Sequence, residues 1–116
     1  TGPMSERGAL AEEAAADFLT GRGLRLLERN YRCRFGEIDL IMGEGRTLVF
    51  VEVRYRRNKS FGGALESITR AKREKLLRAA RHYMAARKEF PACRFDAVLL
   101  NGDTEELEWI ENAFGE

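Results

Sequence analysis

The sequence predicts an α/β fold in which a mixed central sheet of about five strands is flanked by two long helices. One observation is the order of the periodic segments, which read as helix, three strands, helix and two strands. The other is the length of the second helix, because a long crossover between two strands is what a parallel pair in a mixed sheet requires. For 116 residues we expect a single domain, spanning residues 4–116.

The start of the chain and its cysteines suggest where the protein works. Thr1, Gly2 and Pro3 precede Met4, and we interpret them as a cloning remnant. No apolar run approaches the roughly 20 residues of a membrane-spanning helix, and no secretory signal pattern is present. Cys33 and Cys93 lack metal-ligand spacing and are expected to be reduced thiols, with a disulfide only if their strands are neighbours. These features favour a cytoplasmic protein without a membrane partner.

The first helix is predicted over Glu6 to Thr20, where alanines are frequent. Its expected apolar stripe comprises Leu10, Ala14 and Phe18, with Ala11 and Ala15 beside them. Glu12 lies across the helix from that stripe, so periodicity alone favours an ordinary solvent-facing glutamate near a helix start.

After a first strand over Leu24 to Tyr31, the segment from Gly36 to Arg56 reads as a hairpin of two strands. Each strand carries one acid, Asp39 or Glu52, among apolar neighbours. A carboxylate on a core strand is costly unless it is paired, hydrogen-bonded or bound to a cation.

The length of the hairpin turn decides whether these two acids meet. A two-residue loop at Gly43-Glu44 or at Glu44-Gly45 places Asp39 and Glu52 on one face, beside Arg54. The latter loop sets Glu37 opposite Glu52. A three-residue loop would separate the two acids. The chemical alternatives are a Mg²⁺ or Mn²⁺ site and an ordinary hairpin whose acids face solvent or pair with nearby arginines.

The second half of the chain supplies the remaining elements. A basic loop is predicted over 57–63, the second long helix over Arg70 to Lys88, and strands over Cys93 to Leu100 and Glu105 to Ile110. Asp96 places a charge within the fourth strand. We predict that it pairs with Arg94 or Arg34 as a structural support.

Charge is strongly segregated along the chain. Residues 54–94 contain 13 Lys or Arg against 3 Glu, whereas residues 95–116 contain 7 Asp or Glu and no Lys or Arg. A basic block beside a candidate acidic site favours a nucleic-acid partner, and the alternative is a solvated helix face. The residues predicted to contact phosphates are Arg56, Arg57, Lys59, Arg70, Lys72 and Arg73.

Several motifs together resemble a known family. They are Gly8 and Glu12, the run Gly36-Glu37-Ile38-Asp39, Glu52 with Arg54, Lys72, and Arg94-Phe95-Asp96. On these residues the chain, from Gly8 to Phe114, resembles the YraN family of small bacterial proteins. It is also similar to the restriction-endonuclease-like PD-(D/E)xK nucleases, a superfamily that includes Holliday junction resolvases.

The resemblance implies a three-layer restriction-endonuclease-like sandwich and a Mg²⁺- or Mn²⁺-dependent nuclease acting on DNA, with branched or single-stranded DNA as candidate substrates. It implies Asp39, Glu52, Arg54 and Glu12 as catalytic residues, and Asp39, Glu52 and Glu37 as metal ligands. By analogy with the resolvases, it also suggests a homodimer. The chain departs from the nuclease pattern in one place, since Arg54 stands where those nucleases have lysine, and arginine does not readily lose a proton.

The sequence leaves two other classes of function open. One is a non-catalytic nucleic-acid-binding module that retains the basic surface with a degenerate nuclease site. The other is a protein–protein adaptor whose partner meets the acidic end of the chain.

Overall fold

A computed structural model describes residues 6–56, 68–101 and 106–114. It confirms the predicted α/β class: five strands and two helices in the predicted order. They are α1 (Glu6–Gly21), β1 (Arg25–Cys33), β2 (Gly36–Glu44), β3 (Thr47–Arg56), α2 (Arg70–Arg87), β4 (Cys93–Asn101) and β5 (Glu106–Phe114).

The strands form one mixed sheet in the order β1-β2-β3-β4-β5. Only the β3–β4 pair is parallel, and α2 lies in the connection between these two strands. A parallel pair needs such a crossover because the chain must return to the same end of the sheet. The crossover brings Lys72, in the first turn of α2, close to Glu52 in β3.

The two helices cover the two sides of the sheet, which gives a sandwich. Alternation along β3 shows this directly, since Phe50 packs in the α2 cluster whereas Val49 and Val51 pack in the α1 cluster. In β2 the alternation shifts: Ile38 and Ile41 both belong to the α2 cluster although they are three residues apart. Asp39 lies within this irregular stretch.

The predicted apolar stripe of α1 is wrong in part. Leu10 is 59% exposed and Ala14 is exposed, whereas Phe18 packs against the core as predicted, and the flanking Ala11 and Ala15 are buried together with Leu19. Small alanine side chains let the helix approach the sheet closely, and this outweighs the larger but more scattered apolar residues. Because Ala11, Ala15 and Leu19 face the sheet, Glu12, which is next to Ala11, lies at the edge of the buried face of α1.

The hairpin turn comprises Gly45 and Arg46, so neither predicted loop position is correct. Gly45 has a φ of +60°, a left-handed conformation that glycine adopts without strain. The loop nevertheless has two residues, with Glu44 opposite Thr47 and Leu40 opposite Val51. Continuing this register sets Asp39, rather than Glu37, across from Glu52.

Asp96 in β4 pairs with Arg94 as a structural support, as predicted. It is fully buried, and its carboxylate accepts hydrogen bonds from Arg94 Nε at 3.1 Å, Trp109 Nε1 at 2.9 Å and Asn112 N at 2.9 Å. This network fixes β5, which extends to Phe114 rather than ending at the predicted Ile110.

Cys33 and Cys93 form no disulfide, and their strands, β1 and β4, are not neighbours in the sheet. Among the described residues, neither helix is sufficiently long and apolar to cross a membrane.

Candidate active site

Asp39 and Glu52 lie on adjacent strands and are both almost completely buried, with 8% and 3% of their surfaces exposed. The backbone pairing of β2 with β3 extends to Leu40 and Val51. Just beyond it, Val53 N donates to Asp39 Oδ2 at 2.8 Å. A side-chain carboxylate thus occupies the position where the strands diverge, and this bond holds it in place.

Two cations approach the same oxygen of Glu52. Arg54 Nε is 3.4 Å and Lys72 Nζ is 3.8 Å from Glu52 Oε2. Arg54 comes from β3 and Lys72 from the first turn of α2, so the crossover brings sequence-distant charges together. The other oxygen, Glu52 Oε1, is buried and receives no hydrogen bond from any residue within the described ranges.

A third carboxylate comes from α1. Glu12 is partly buried and interacts with both Asn30 and Asp39. We call Glu12, Asp39, Glu52, Arg54 and Lys72 the carboxylate cluster.

Sequence reasoning missed Asn30, which lies beside this cluster. Its φ of 49° is left-handed, a conformation in which asparagine is enriched among non-glycine residues. An asparagine late in a predicted strand, next to an acid-bearing hairpin, was the available signal.

Burial and mutual repulsion raise the pKa values of all three carboxyls. The pKa of Glu52 is raised to about 8, mainly by burial and then by the charge of Asp39, against the opposing effect of Lys72 and Arg54. Burial and Asp39 raise the pKa of Glu12 to about 7. Burial also raises the pKa of Asp39, while the hydrogen bond from Val53 opposes this rise. The fold therefore holds acids together at a cost that a nearby positive charge would relieve.

Glu37, predicted as a metal ligand, lies beside the cluster. Its Oε2 accepts a hydrogen bond from Arg32 Nε at 3.0 Å on the exposed side of β1. Its charge still acts at a distance, since it contributes to the raised pKa values of Asp39 and Glu12.

Of the basic residues predicted to contact phosphates, Lys72 alone is placed in the cluster within the described part of the chain. Arg70 is 3.6 Å from Glu74 and extends into solvent, and Arg73 donates to Ile68 O at 3.0 Å. The predicted loop with Arg57 and Lys59, and the side chain of Arg56, lie outside the described residues.

Two cavities, of about 580 and 430 Å³, flank the C-terminal half of α2 and contain no member of the cluster. Within the described ranges, no group of three or more His, Cys, Asp or Glu side chains has the arrangement of a metal site. The cluster therefore offers two buried carboxylates with a third beside them, rather than a complete protein-only metal cage.

A comparison with models of known protein families finds a match for this chain. The profile described as "Uncharacterised protein family UPF0102" matches residues 11–100. The chain belongs to the UPF0102 family. All members of the carboxylate cluster, together with Asn30, fall inside the segment that the UPF0102 profile matches.

Relatives in several bacteria support the UPF0102 assignment over nearly the full length. A UPF0102 protein of Nitrosomonas europaea is 61% identical over 112 residues, covering 95% of this chain and 94% of the relative. A UPF0102 protein of Methylococcus capsulatus is 55% identical, covering 91% and 88% of the two chains. One from Psychromonas ingrahamii is 48% identical, covering 97% and 92%.

Proposed function

We propose that this UPF0102 protein is a divalent-metal-dependent nuclease acting on branched or single-stranded DNA. One observation carries the proposal: buried Asp39 and Glu52 face one another from adjacent strands closely enough for their side chains to hydrogen-bond when Glu52 holds a proton, and no N–H group of the described residues donates to Glu52 Oε1. Buried polar atoms are otherwise nearly always satisfied. A carboxylate pair of this kind is more costly than a structural ion pair, and a functional role explains why it is kept.

The donor set suits Mg²⁺ or Mn²⁺. These ions typically take one or two carboxylates and complete their shell with water and substrate phosphate oxygens, so a cage of three protein acids is not needed. Asp39 and Glu52 would hold the ion, with Glu12 beside them and Glu37 supporting the local negative charge. When bound, such an ion polarises a phosphate oxygen and lowers the pKa of water.

The other cluster residues have distinct chemical capacities. Glu12, whose pKa is raised to about 7, can accept a proton from an attacking water near neutral pH. Lys72 provides an ammonium from α2, and Arg54 provides a guanidinium at the position where the related nucleases have lysine. Both can stabilise negative charge on the phosphate under attack. Lys72 thus supplies the compact cation that Arg54 does not.

A second candidate function is a non-catalytic nucleic-acid-binding module. The observation that favours it is Arg54, because a guanidinium clamps phosphate well but does not readily give up a proton. In this case the protein would bind DNA with a strong salt dependence and show no turnover.

Replacing Asp39 by asparagine tests the metal site. We expect wild-type protein at pH 8 to gain several degrees in Tm on addition of Mn²⁺, because an ion that binds only the folded state stabilises it. The wild type should also cleave labelled single-stranded or branched DNA in Mn²⁺. Asp39→Asn should lose both effects, as measured by thermal denaturation and gel electrophoresis.

The matched control for this experiment is Glu37→Gln, since Glu37 is held by Arg32 at the edge of the site. It should retain the Mn²⁺-induced gain in Tm and most of the cleavage. Cleavage that persists undiminished in Asp39→Asn would indicate a contaminating nuclease and count against the proposal. Salt-dependent DNA binding by a wild type that never cleaves would favour the binding module.

A separate prediction concerns Lys72. Lys72→Met should lower the cleavage rate by roughly 10²-fold or more, because removing a positioned charge beside the reacting phosphate costs a few kcal/mol of transition-state stabilisation. Arg70→Met, which removes a neighbouring cation that pairs with Glu74, should change the rate less than about threefold. Equal losses in the two variants, measured under single-turnover conditions, would assign Lys72 a general electrostatic role only.

A further inference from the structure

The turn between β1 and β2 is packed tightly against α2, beside the carboxylate cluster. Gly36 has a φ of +147°, and a Cβ at this position would lie 3.4 Å from Lys75 Cβ. Tyr31 in β1 also anchors this region, because its hydroxyl lies 2.5 Å from His82 Nδ1 of α2. The positive φ favours glycine at this position, and the 3.4 Å spacing is that of ordinary van der Waals contact between the turn and α2. The turn and the helix therefore present one fixed surface.

This surface carries positive charge and an aromatic ring. Arg34 Cζ lies 4.8 Å from the centre of the Phe35 ring, and the edge of that ring meets His82 at 5.9 Å between centroids. Lys75 and Arg78 are exposed on α2. Among the described residues, no carboxylate forms an ion pair with Arg34, Lys75 or Arg78. We call Arg34, Phe35, Lys75 and Arg78 the turn surface.

The turn surface is continuous with the cluster. Lys72, Lys75 and Arg78 are spaced by three residues, so they follow one another along neighbouring positions of α2. The first of them reaches Glu52, and the second contacts the turn at Gly36. A phosphate chain whose scissile group lies at Glu52 would therefore meet Lys75 and then Arg78 along α2.

We infer that the turn surface binds an unpaired DNA strand on one side of the cleavage point, which is an extension of the proposed function. Lys75 and Arg78 would contact successive phosphates. Arg34, whose Cζ lies over the Phe35 ring, would contact a base, since guanidinium and aromatic planes both stack on bases. A duplex hides its base faces inside the helix, so this combination suits a single strand rather than a duplex.

The test compares two charge-matched double variants. Arg34→Ala/Lys75→Ala removes two cations of the turn surface, and Arg46→Ala/Arg87→Ala removes two cations around the cavity at the opposite end of the β2–β3 hairpin. Fluorescence anisotropy with a labelled 20-nucleotide oligo-dT and with a 20-base-pair duplex measures Kd over a range of salt concentrations. Circular dichroism verifies that each variant is folded.

The turn-surface variant should bind oligo-dT about tenfold more weakly, and the slope of log K against log salt should fall by roughly 0.7, the value for the one phosphate that Lys75 no longer neutralises. The control should change Kd less than about twofold.

A third variant, Phe35→Leu, keeps apolar volume but removes the ring, and should weaken oligo-dT binding several-fold without changing the salt slope. Duplex affinity should fall less than oligo-dT affinity in Arg34→Ala/Lys75→Ala and in Phe35→Leu.

Equal losses in the two double variants, or equal losses for duplex and oligo-dT, would overturn the turn-surface inference. So would an unchanged Kd in Arg34→Ala/Lys75→Ala, even if the wild type cleaves DNA, and in that case the proposed nuclease would stand alone. Conversely, binding through the turn surface by a wild type that never cleaves would overturn the nuclease and leave the strand-binding surface in place.

Discussion

Replacing Glu52 by glutamine is expected to abolish metal-dependent cleavage and, at the same time, to make the protein more stable above neutral pH. The carboxylate is lost as a metal ligand, so cleavage should fall by at least about 10³-fold, as for removal of a principal charge-stabilising group. The stability gain follows because the pKa of Glu52 is raised to about 8 by burial and by Asp39. Glutamine resembles the uncharged form that the fold prefers.

The raised pKa of Glu52 determines how the free energy of unfolding changes with pH. Between about pH 4.5 and pH 8 the folded wild type holds a proton on Glu52 that the unfolded chain has released, so its free energy of unfolding falls as pH rises through this range. Glutamine at position 52 does not titrate, so the variant lacks this pH-dependent loss in the free energy of unfolding. The variant should match the wild type near pH 4.5 and exceed it by up to about 5 kcal/mol at pH 9, since each unit of pKa difference corresponds to about 1.4 kcal/mol. That difference corresponds to roughly 20 °C in Tm.

Thermal denaturation from pH 4.5 to pH 9 measures the effect, with Glu13→Gln as the control. Glu13 is exposed on the same helix as Glu12, and its replacement should not change the pH profile. A Glu52→Gln variant that is less stable than the wild type at every pH would show that Glu52 is a structural partner of Lys72 and Arg54. Such a result would remove the physical basis of the nuclease proposal.

Replacing Asp96 by alanine should have the largest destabilising effect in the molecule. The change leaves the Arg94 guanidinium, the Trp109 indole N–H and the Asn112 amide without their shared acceptor. Breaking a buried charge pair by removing one partner typically costs about 3–5 kcal/mol, because the remaining groups stay desolvated. We expect a loss of about 4 kcal/mol in the free energy of unfolding, measured by urea denaturation.

The control for Asp96→Ala uses an exposed partner of the same arginine. Glu111 Oε1 lies 3.3 Å from Arg94 Nη2 at a solvent-exposed position, so Glu111→Gln should cost less than about 1 kcal/mol. A cost for Asp96→Ala as small as that of Glu111→Gln would mean that water replaces the buried carboxylate.

Several features of the molecule were determined by local sequence alone. The branched apolar residues around Phe50 predicted a core strand, and the long helical segment after it predicted the crossover. Asp39 and Glu52 could be recognised as candidate site residues from the sequence, because charged residues are rare among the branched apolar residues of a core strand. These inferences succeeded because hydrophobic period and side-chain chemistry act over a few neighbouring residues.

Other features were decided only by the tertiary structure. The orientation of α1 was mispredicted because a helix rich in alanine has several faces of similar apolar character, and only contact with the sheet selects Ala15 and Leu19 over Leu10. The approach of Lys72 to Glu52 depends on a parallel crossover that returns α2 to the end of β3. The raised pKa of Glu52 depends on burial by elements from several parts of the chain. Local pattern fixes which groups are present, whereas long-range packing fixes the distances and the dielectric surroundings that set their chemistry.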